Sequence, residues 1–189
     1  KYLNENKQIL TEKNNCLPIV KYVSARNPKK KRRINIKKKQ WLKNYLDATK
    51  IDDIDLIVEL IGGAEGPARK LVFNALKNKK HIVTANKALI AKYGDQLAKI
   101  AEKNKVNLEF EASVCGGVPI IRSLKEGLIA NKISKIYGIF NGTSNFILSE
   151  MDKQNKSFSE VLHDAKKLGY AEANPSADLN GDDVSSKLK

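Results

Sequence analysis

Eight positive side chains crowd the eleven residues between Lys29 and Lys39, namely Lys29, Lys30, Lys31, Arg32, Arg33, Lys37, Lys38 and Lys39, with no acid among them. Such a run can grip phosphate, either along a nucleic-acid backbone or as one phosphate of a smaller ligand. It can equally be a solvated loop, because blocks of like charge repel one another and stay exposed. Sequence-tolerant nucleic-acid grooves interleave positives with aromatic stacking platforms, and only Trp41 lies near, so a nucleic-acid-binding module centred on 29–39 is the alternative rather than the leading reading. Near the other end, Asp183 and Lys187 stand at i and i+4 in a stretch of helical spacing, which by itself makes an ordinary helix-surface ion pair. Soft-ligand and redox chemistry finds little support. Cys16 and Cys115 lie far apart with only His81 and His163 for company, so neither a zinc spacing nor a disulfide framework is legible. Cys115 has no His at a telling distance and reads as a packing residue, and the two histidines carry no motif.

The elements that must position these groups follow from composition and periodicity. The 189 residues carry a net charge of +14, with 41% apolar and 30% charged residues, which fits a globular chain and excludes an acidic disordered tail. No apolar stretch approaches the ~18 residues of a membrane span. The start lacks an initiator Met and a secretion signal, so the chain reads as an internal fragment in a reducing, cytoplasmic setting. Residues 2–10 read as the end of a helix and 17–25 (LPIVKYVSA) as a strand. After a short helix at 40–46, residues 55–61 (DLIVELI) form a nearly continuous apolar run closed by Gly62-Gly63, typical of a central parallel strand buried on both faces. A helix over 67–79, a strand over 81–85, a helix over 86–103 and a strand over 106–112 continue the alternation. This order predicts an α/β fold, a Rossmann-type doubly wound parallel sheet with ligands at the carboxyl ends of its strands. Beyond Gly116-Gly117-Val118-Pro119, a helix to residue 128, a strand over 132–140 and helices over 142–151 and 157–168 predict an α+β addition. The expected boundary divides residues 1–113, a truncated dinucleotide-binding domain, from 114–189, a truncated substrate and catalytic domain.

A dinucleotide fold opens with strand, Gly-x-Gly-x-x-Gly and helix, so that backbone N–H groups approach the pyrophosphate. No two glycines here have the Gly-x-Gly spacing, so the first strand and its glycines are expected upstream of Lys1. The residue closing the second strand contacts the adenosine ribose, and here it is Arg26, a type that favours the 2′-phosphate of NADP over NAD. Thr84 and Asn86 suit ribose hydroxyls and suit a helix cap equally.

Three stretches together, VTANKALIA from Val83, FEASVCGGVPII from Phe110, and GIFNGTSNFILSEM through LGYAEANPSADLNGDDVSSK from Gly138 to Lys187, resemble homoserine dehydrogenases over nearly the whole chain. The resemblance implies NAD(P)H-dependent reduction of L-aspartate 4-semialdehyde to L-homoserine, in threonine, methionine and isoleucine biosynthesis. By the same resemblance Lys187 matches the proton-donating lysine, and Lys87 the lysine at the nicotinamide end of the cofactor. Glu172, Asp183 and Asp178 match the acids of the substrate site. Gly62, Gly63 and Gly169 lie where cofactor approaches backbone. Glu111 with the main-chain carbonyls of Val114, Gly116 and Val118 matches a monovalent-cation site, usually sodium. Asn174 stands where relatives usually carry Asp. A small-molecule substrate, a homo-oligomeric full-length protein and no membrane partner are implied as well. Another dehydrogenase, or a regulatory domain on the same scaffold, is the remaining alternative.

Overall fold

The computed structural model describes residues 2–189, which divide into two compact units. The first comprises the described residues through Glu59 together with Glu65–Val83 and Asp95–Leu108. It opens with helices α1 (Tyr2–Glu5) and α2 (Lys7–Asn14), the latter stopped by Asn15 in the left-handed conformation (φ 54°). The expected strand over 17–25 is reduced to one parallel bridge: Val23 N–H donates to Gln40 O at 2.8 Å, and Leu42 N–H donates to Val23 O at 2.9 Å. Pro18 brings no N–H to a ladder, and the Gln40 side chain takes Val20 O at 2.9 Å in place of a second strand. The short helix expected over 40–46 is replaced by two 3-10 turns, Lys38–Gln40 and Tyr45–Thr49, on either side of the bridge.

The sheet holds β1 (Leu56–Glu59), β2 (His81–Thr84) and β3 (Leu108–Glu109) in the order β1-β2-β3. Helix α3 (Pro67–Lys77) connects the first two and α4 (Lys87–Asn104) the second two, giving the parallel βαβαβ alternation read from the sequence. Pro67 at the first turn starts α3 behind Gly66 (φ 72°), and Ala68, Leu71, Val72, Ala75 and Leu76 form its buried stripe. β1 is neither central nor covered on both faces. Ile57 and Glu59 are buried, whereas Leu56 and Val58 are 47% and 54% exposed, and β2 occupies the middle of the described sheet. One face of β1, bearing Ile57 and Glu59, meets core, and the other, bearing Leu56 and Val58, stays half-exposed.

The second unit comprises Leu60–Ala64, Thr84–Gly94 and Glu109–Lys189. Instead of a strand running to residue 112, the chain leaves β3 at once into α5 (Glu111–Val114), then α6 (Ile120–Arg122) and a π turn, Ser123–Gly127. The strand expected over 132–140 pairs with nothing among the described residues; its Tyr137 and Ile139 stay 85% and 77% exposed. The stretch is rich in Ile and aromatic residues, but a strand exists only when a neighbour accepts its ladder. Helices α7 (Gly142–Gln154), α8 (Phe158–Leu168), α9 (Ser176–Leu179) and α10 (Asp182–Leu188) complete the unit. Ile147, Val161, Ala165 and Ala171 form its core, flanked by Phe146, Met151, Leu162 and Leu179. Among the described residues no helix is long and apolar enough to cross a membrane.

A reciprocal capping box starts α8: the Glu160 carboxylate accepts from Ser157 N–H at 2.9 Å while Ser157 Oγ faces Glu160 N–H. Ser157→Ala removes the cap and touches no candidate site residue. Its expected cost is about 1 kcal/mol, read as a lower urea midpoint with unchanged m-value in the full-length protein.

Candidate functional site

The second unit gathers its chemistry around one carboxylate. Gly181, left-handed at φ 81°, turns the chain into α10, whose first and second turns carry Asp183 and Lys187 on one face. Asp183 Oδ2 lies 2.7 Å from Lys187 Nζ, and its Oδ1 accepts from Lys87 Nζ, 96 residues upstream. The side chains of Asp183 and Lys187 are only 12% and 17% exposed. The i, i+4 pair is therefore not the ordinary surface contact its spacing alone suggests; it is a three-member cluster drawn from two distant stretches. Lys187 Nζ also donates to Phe140 O at 2.6 Å.

Burial opposes the charge on Asp183, but hydrogen bonds from Lys187, Lys87 and Asn141 outweigh it and hold the carboxyl well below the usual carboxylate range. An ammonium has three N–H donors. Lys187 commits two, to Asp183 and Phe140 O, and Lys87 is hydrogen-bonded to Asp183, so both retain N–H for an incoming oxygen.

Lys87 owes its position to Asn86. The Asn86 side chain caps α4 by accepting from Leu89 N–H at 3.1 Å and donates to Gly63 O at 2.7 Å, while Asn86 N–H meets Thr84 Oγ1 at 3.0 Å. Thr84 and Asn86 are buried at 1% and 5% exposure, so each is engaged in holding the loop, and Asn86 takes the cap role that its sequence allowed. Gly62 and Gly63 have φ of 84° and 80°, a region that disfavours any Cβ, and the space a Cβ would take at either is open. A bare, left-handed backbone turn tied to the start of the lysine-bearing helix suits close approach by a cofactor.

The other sequence-read residues fall as follows. Asp178, on α9, accepts from Asn141 Nδ2 at 2.8 Å and from Thr143 Oγ1 at 2.9 Å, which draws it to the cluster. Glu172 is exposed, with no ion-pair partner among the described residues. Gly169, left-handed at φ 81°, ends α8, and the Tyr170 ring after it stacks on Phe146 at 4.3 Å. The Glu111 carboxylate accepts Ile121 N–H at 2.9 Å and Arg122 N–H at 2.8 Å at the start of α6. Nearby, Val118 O accepts Ile120 N–H at 2.8 Å, Gly116 is left-handed at φ 60°, and Val114 ends α5. Among the described residues no group of three His, Cys, Asp or Glu side chains could hold a metal, so a cation there would depend on carbonyl oxygens and the one Glu111 carboxylate. Cys115 is exposed and does not pack as expected, because it lies in the turn after α5.

In the first unit Arg26 is exposed. Arg32 is not free for phosphate: its guanidinium donates to the carbonyls of Asn27, Pro28 and Lys30 at 2.8–3.0 Å and lies 5.0 Å over the Trp41 ring. The aromatic nearest the basic run is thus already covered by a cation, which removes the stacking platform a nucleic-acid groove would use.

Sequence reasoning missed Asn141 and Thr143. Asn-Gly-Thr-Ser ahead of an apolar-periodic stretch is a helix-start signature and could have marked them. Their meeting with Asp178 and Asp183, 35 to 42 residues onward, has no local signal.

Comparison with known proteins agrees with this arrangement. Residues 6–111 match the family model described as homoserine dehydrogenase, NAD binding domain, and residues 119–189 match the model described as homoserine dehydrogenase. The chain is 50% identical over 148 residues to a homoserine dehydrogenase of Neisseria gonorrhoeae, covering 78% of this chain and 34% of the relative. It superposes on the crystal structure of S. aureus homoserine dehydrogenase at pH 8.5 with a TM-score of 0.83 and 41% identity, over 99% of this chain and 44% of that one. A hyperthermophilic archaeal homoserine dehydrogenase in complex with NADPH superposes with a TM-score of 0.69 and 31% identity, over 76% and 44% of the two chains. The chain thus spans between a third and a half of the length of these relatives. With both family models matched in chain order and the two lysines converging on Asp183, the chain belongs to the homoserine dehydrogenase family.

Proposed function

We propose that the protein carrying this chain is an NAD(P)-dependent oxidoreductase that interconverts L-aspartate 4-semialdehyde and L-homoserine. The observation that carries the reading is the single Asp183 carboxylate, one oxygen on Lys87 and the other on Lys187. The nicotinamide cofactor, when bound, supplies or accepts the hydride. The chain's own groups do the remainder. The spare N–H donors of Lys87 and Lys187 hydrogen-bond the aldehyde oxygen and stabilise the negative charge that grows there. Lys187 Nζ gives its proton to the nascent alkoxide in reduction and takes it back in oxidation. Asp183 keeps both lysines oriented throughout. Glu172, exposed and unpaired among the described residues, is available to a substrate ammonium, and Asp178 shapes the same side of the site.

Residues 1–113 serve in this reading as the cofactor domain and 114–189 as the catalytic domain. The open Gly62-Gly63 turn, with Lys87 and Gly169, forms the cofactor-facing side, held from behind by the buried Thr84 and Asn86, and the NADPH complex of the archaeal relative favours the phosphorylated cofactor. Glu111 and the carbonyls of Val114, Gly116 and Val118 would hold a monovalent cation, sodium by the resemblance, which would brace the turn leading to α6. A cytoplasmic homo-oligomer belongs to the same reading.

The test is oxidation of L-homoserine by the full-length protein, followed as reduced cofactor at 340 nm. Turnover with homoserine and none with other hydroxy amino acids such as L-serine and L-threonine supports the reading; absence of turnover with either cofactor refutes it. Arg26→Ala is expected to raise KM for NADP about tenfold, the worth of one charge-assisted contact, and to leave KM for NAD unchanged. An equal change for both would remove the 2′-phosphate role.

A further inference from the structure

We infer that Asn141 is the positioning residue of the two-lysine site, tying Asp178 to Asp183 and so fixing which oxygen of Asp183 each lysine meets. The inference rests on the function proposed above, and its geometry stands apart from it. Asn141 is 7% exposed and uses its whole carboxamide: Oδ1 accepts Ser144 N–H at 2.8 Å, and Nδ2 donates to Asp178 Oδ1 at 2.8 Å and to Asp183 Oδ2 at 2.9 Å. The orientation is unambiguous, because a carboxylate only accepts and a backbone N–H only donates. Both amide hydrogens are spent on acids.

The consequence for Asp183 is directional. Oδ2 takes Asn141 and Lys187 together, which leaves Oδ1 for Lys87. The preceding residue completes the seat, since Phe140 O receives Lys187 Nζ at 2.6 Å. Two consecutive residues therefore hold both members of the i, i+4 pair, one through a main-chain carbonyl and one through a side-chain amide. Across Asn141, α9 is bound to the same point: Thr143 Oγ1 and Ser144 Oγ reach Asp178 Oδ2 and O at 2.9 and 3.1 Å. The charged groups facing Asp183 are Lys187 from its own helix, Lys87 from α4 and, through Asn141, Asp178 from α9.

Helix capping and positioning can be separated, because Asp and Ser cap about as well as Asn but lack the two amide hydrogens. In the full-length protein Asn141→Asp is expected to lower kcat about 100-fold with KM for the nicotinamide cofactor unchanged. Three carboxylates sharing one site repel one another, so the variant should take up a proton at this site more readily than wild type. Carboxyl-carbon NMR titration of labelled aspartate, with Asp183 assigned through Asp183→Asn, should show the Asp183 signal moving up, whether or not any substrate turns over. Asn141→Ser is expected to lose about tenfold in kcat at nearly wild-type thermal stability, and it carries both measurements should Asn141→Asp not fold. A kcat for Asn141→Ser within twofold of wild type, with the Asp183 titration unmoved, would leave Asn141 as a cap only and overturn the inference. If wild type does not turn over homoserine, the proposed function fails while the titration alone decides the role of Asn141.

Discussion

Lys187→Ala is expected to lower kcat for homoserine oxidation by about 10³-fold, within the range typical of general acid–base groups, with KM changed less than about threefold. Lys187 Nζ is fixed by Asp183 Oδ2 at 2.7 Å and Phe140 O at 2.6 Å, so the ammonium is held in place before any substrate arrives. Truncation removes the proton and part of the charge that meets the developing alkoxide, while Lys87 and the acids remain to bind. An interaction used mainly in the transition state shows itself in kcat and not in KM. Lys187→Arg keeps the charge but does not release a proton near neutral pH, and its planar fork does not fit the same two acceptors, so it is expected to recover less than about a tenth of the loss. Steady-state kinetics of the purified full-length variants, with circular dichroism to establish folding, make the check. A kcat within tenfold of wild type would remove Lys187 from the chemistry.

Asp183→Ala is expected to be nearly as damaging, for a different reason. It leaves two partly buried ammonium groups without the anion that holds them together, and their repulsion drives both out of register. Misplacement of catalytic groups by about 1 Å costs on the order of 100-fold, which is the expected loss in kcat/KM. Stability should respond with pH in a defined sense. The Asp183 carboxyl is depressed in the fold, so it binds fewer protons in the native than in the unfolded state across the intervening range. Its contribution is fully present above the unfolded value of about 4 and is lost as pH falls through the lower folded value. Asp183→Asn, close to isosteric, should therefore be less stable than wild type by a constant margin above about pH 5, and the margin should shrink steadily below about pH 4. Urea unfolding midpoints at a series of pH values measure it; a margin independent of pH down to 2.5 would show that the carboxylate is not the source.

Much of this was legible along the chain. Apolar Leu71, Val72, Ala75 and Leu76 behind Pro67 mark α3 along the sequence, because helices are closed locally by hydrogen bonds four residues apart. Strands were read less well. Residues 17–25 and 132–140 have strand-like composition, yet the first keeps one bridge and the second none, since a strand is defined by a partner that its own residues do not name. The residues Lys87, Asp178, Asp183 and Lys187 were each marked by the resemblance to homoserine dehydrogenases. Their convergence was not, and neither was Asn141, which sequence shows only as a helix cap.

The sequence by itself determined the long helices and the alternation that makes an α/β domain, and its resemblance to homoserine dehydrogenases marked the residues of the proposed site. Tertiary structure alone decided that Asp183 would take Lys87 on one oxygen and Lys187 on the other, with Asn141 against the second. The reason is range: periodicity and capping act within a turn or two of the backbone, whereas a carboxylate and an ammonium 96 residues apart meet only where the tertiary fold brings their side chains together.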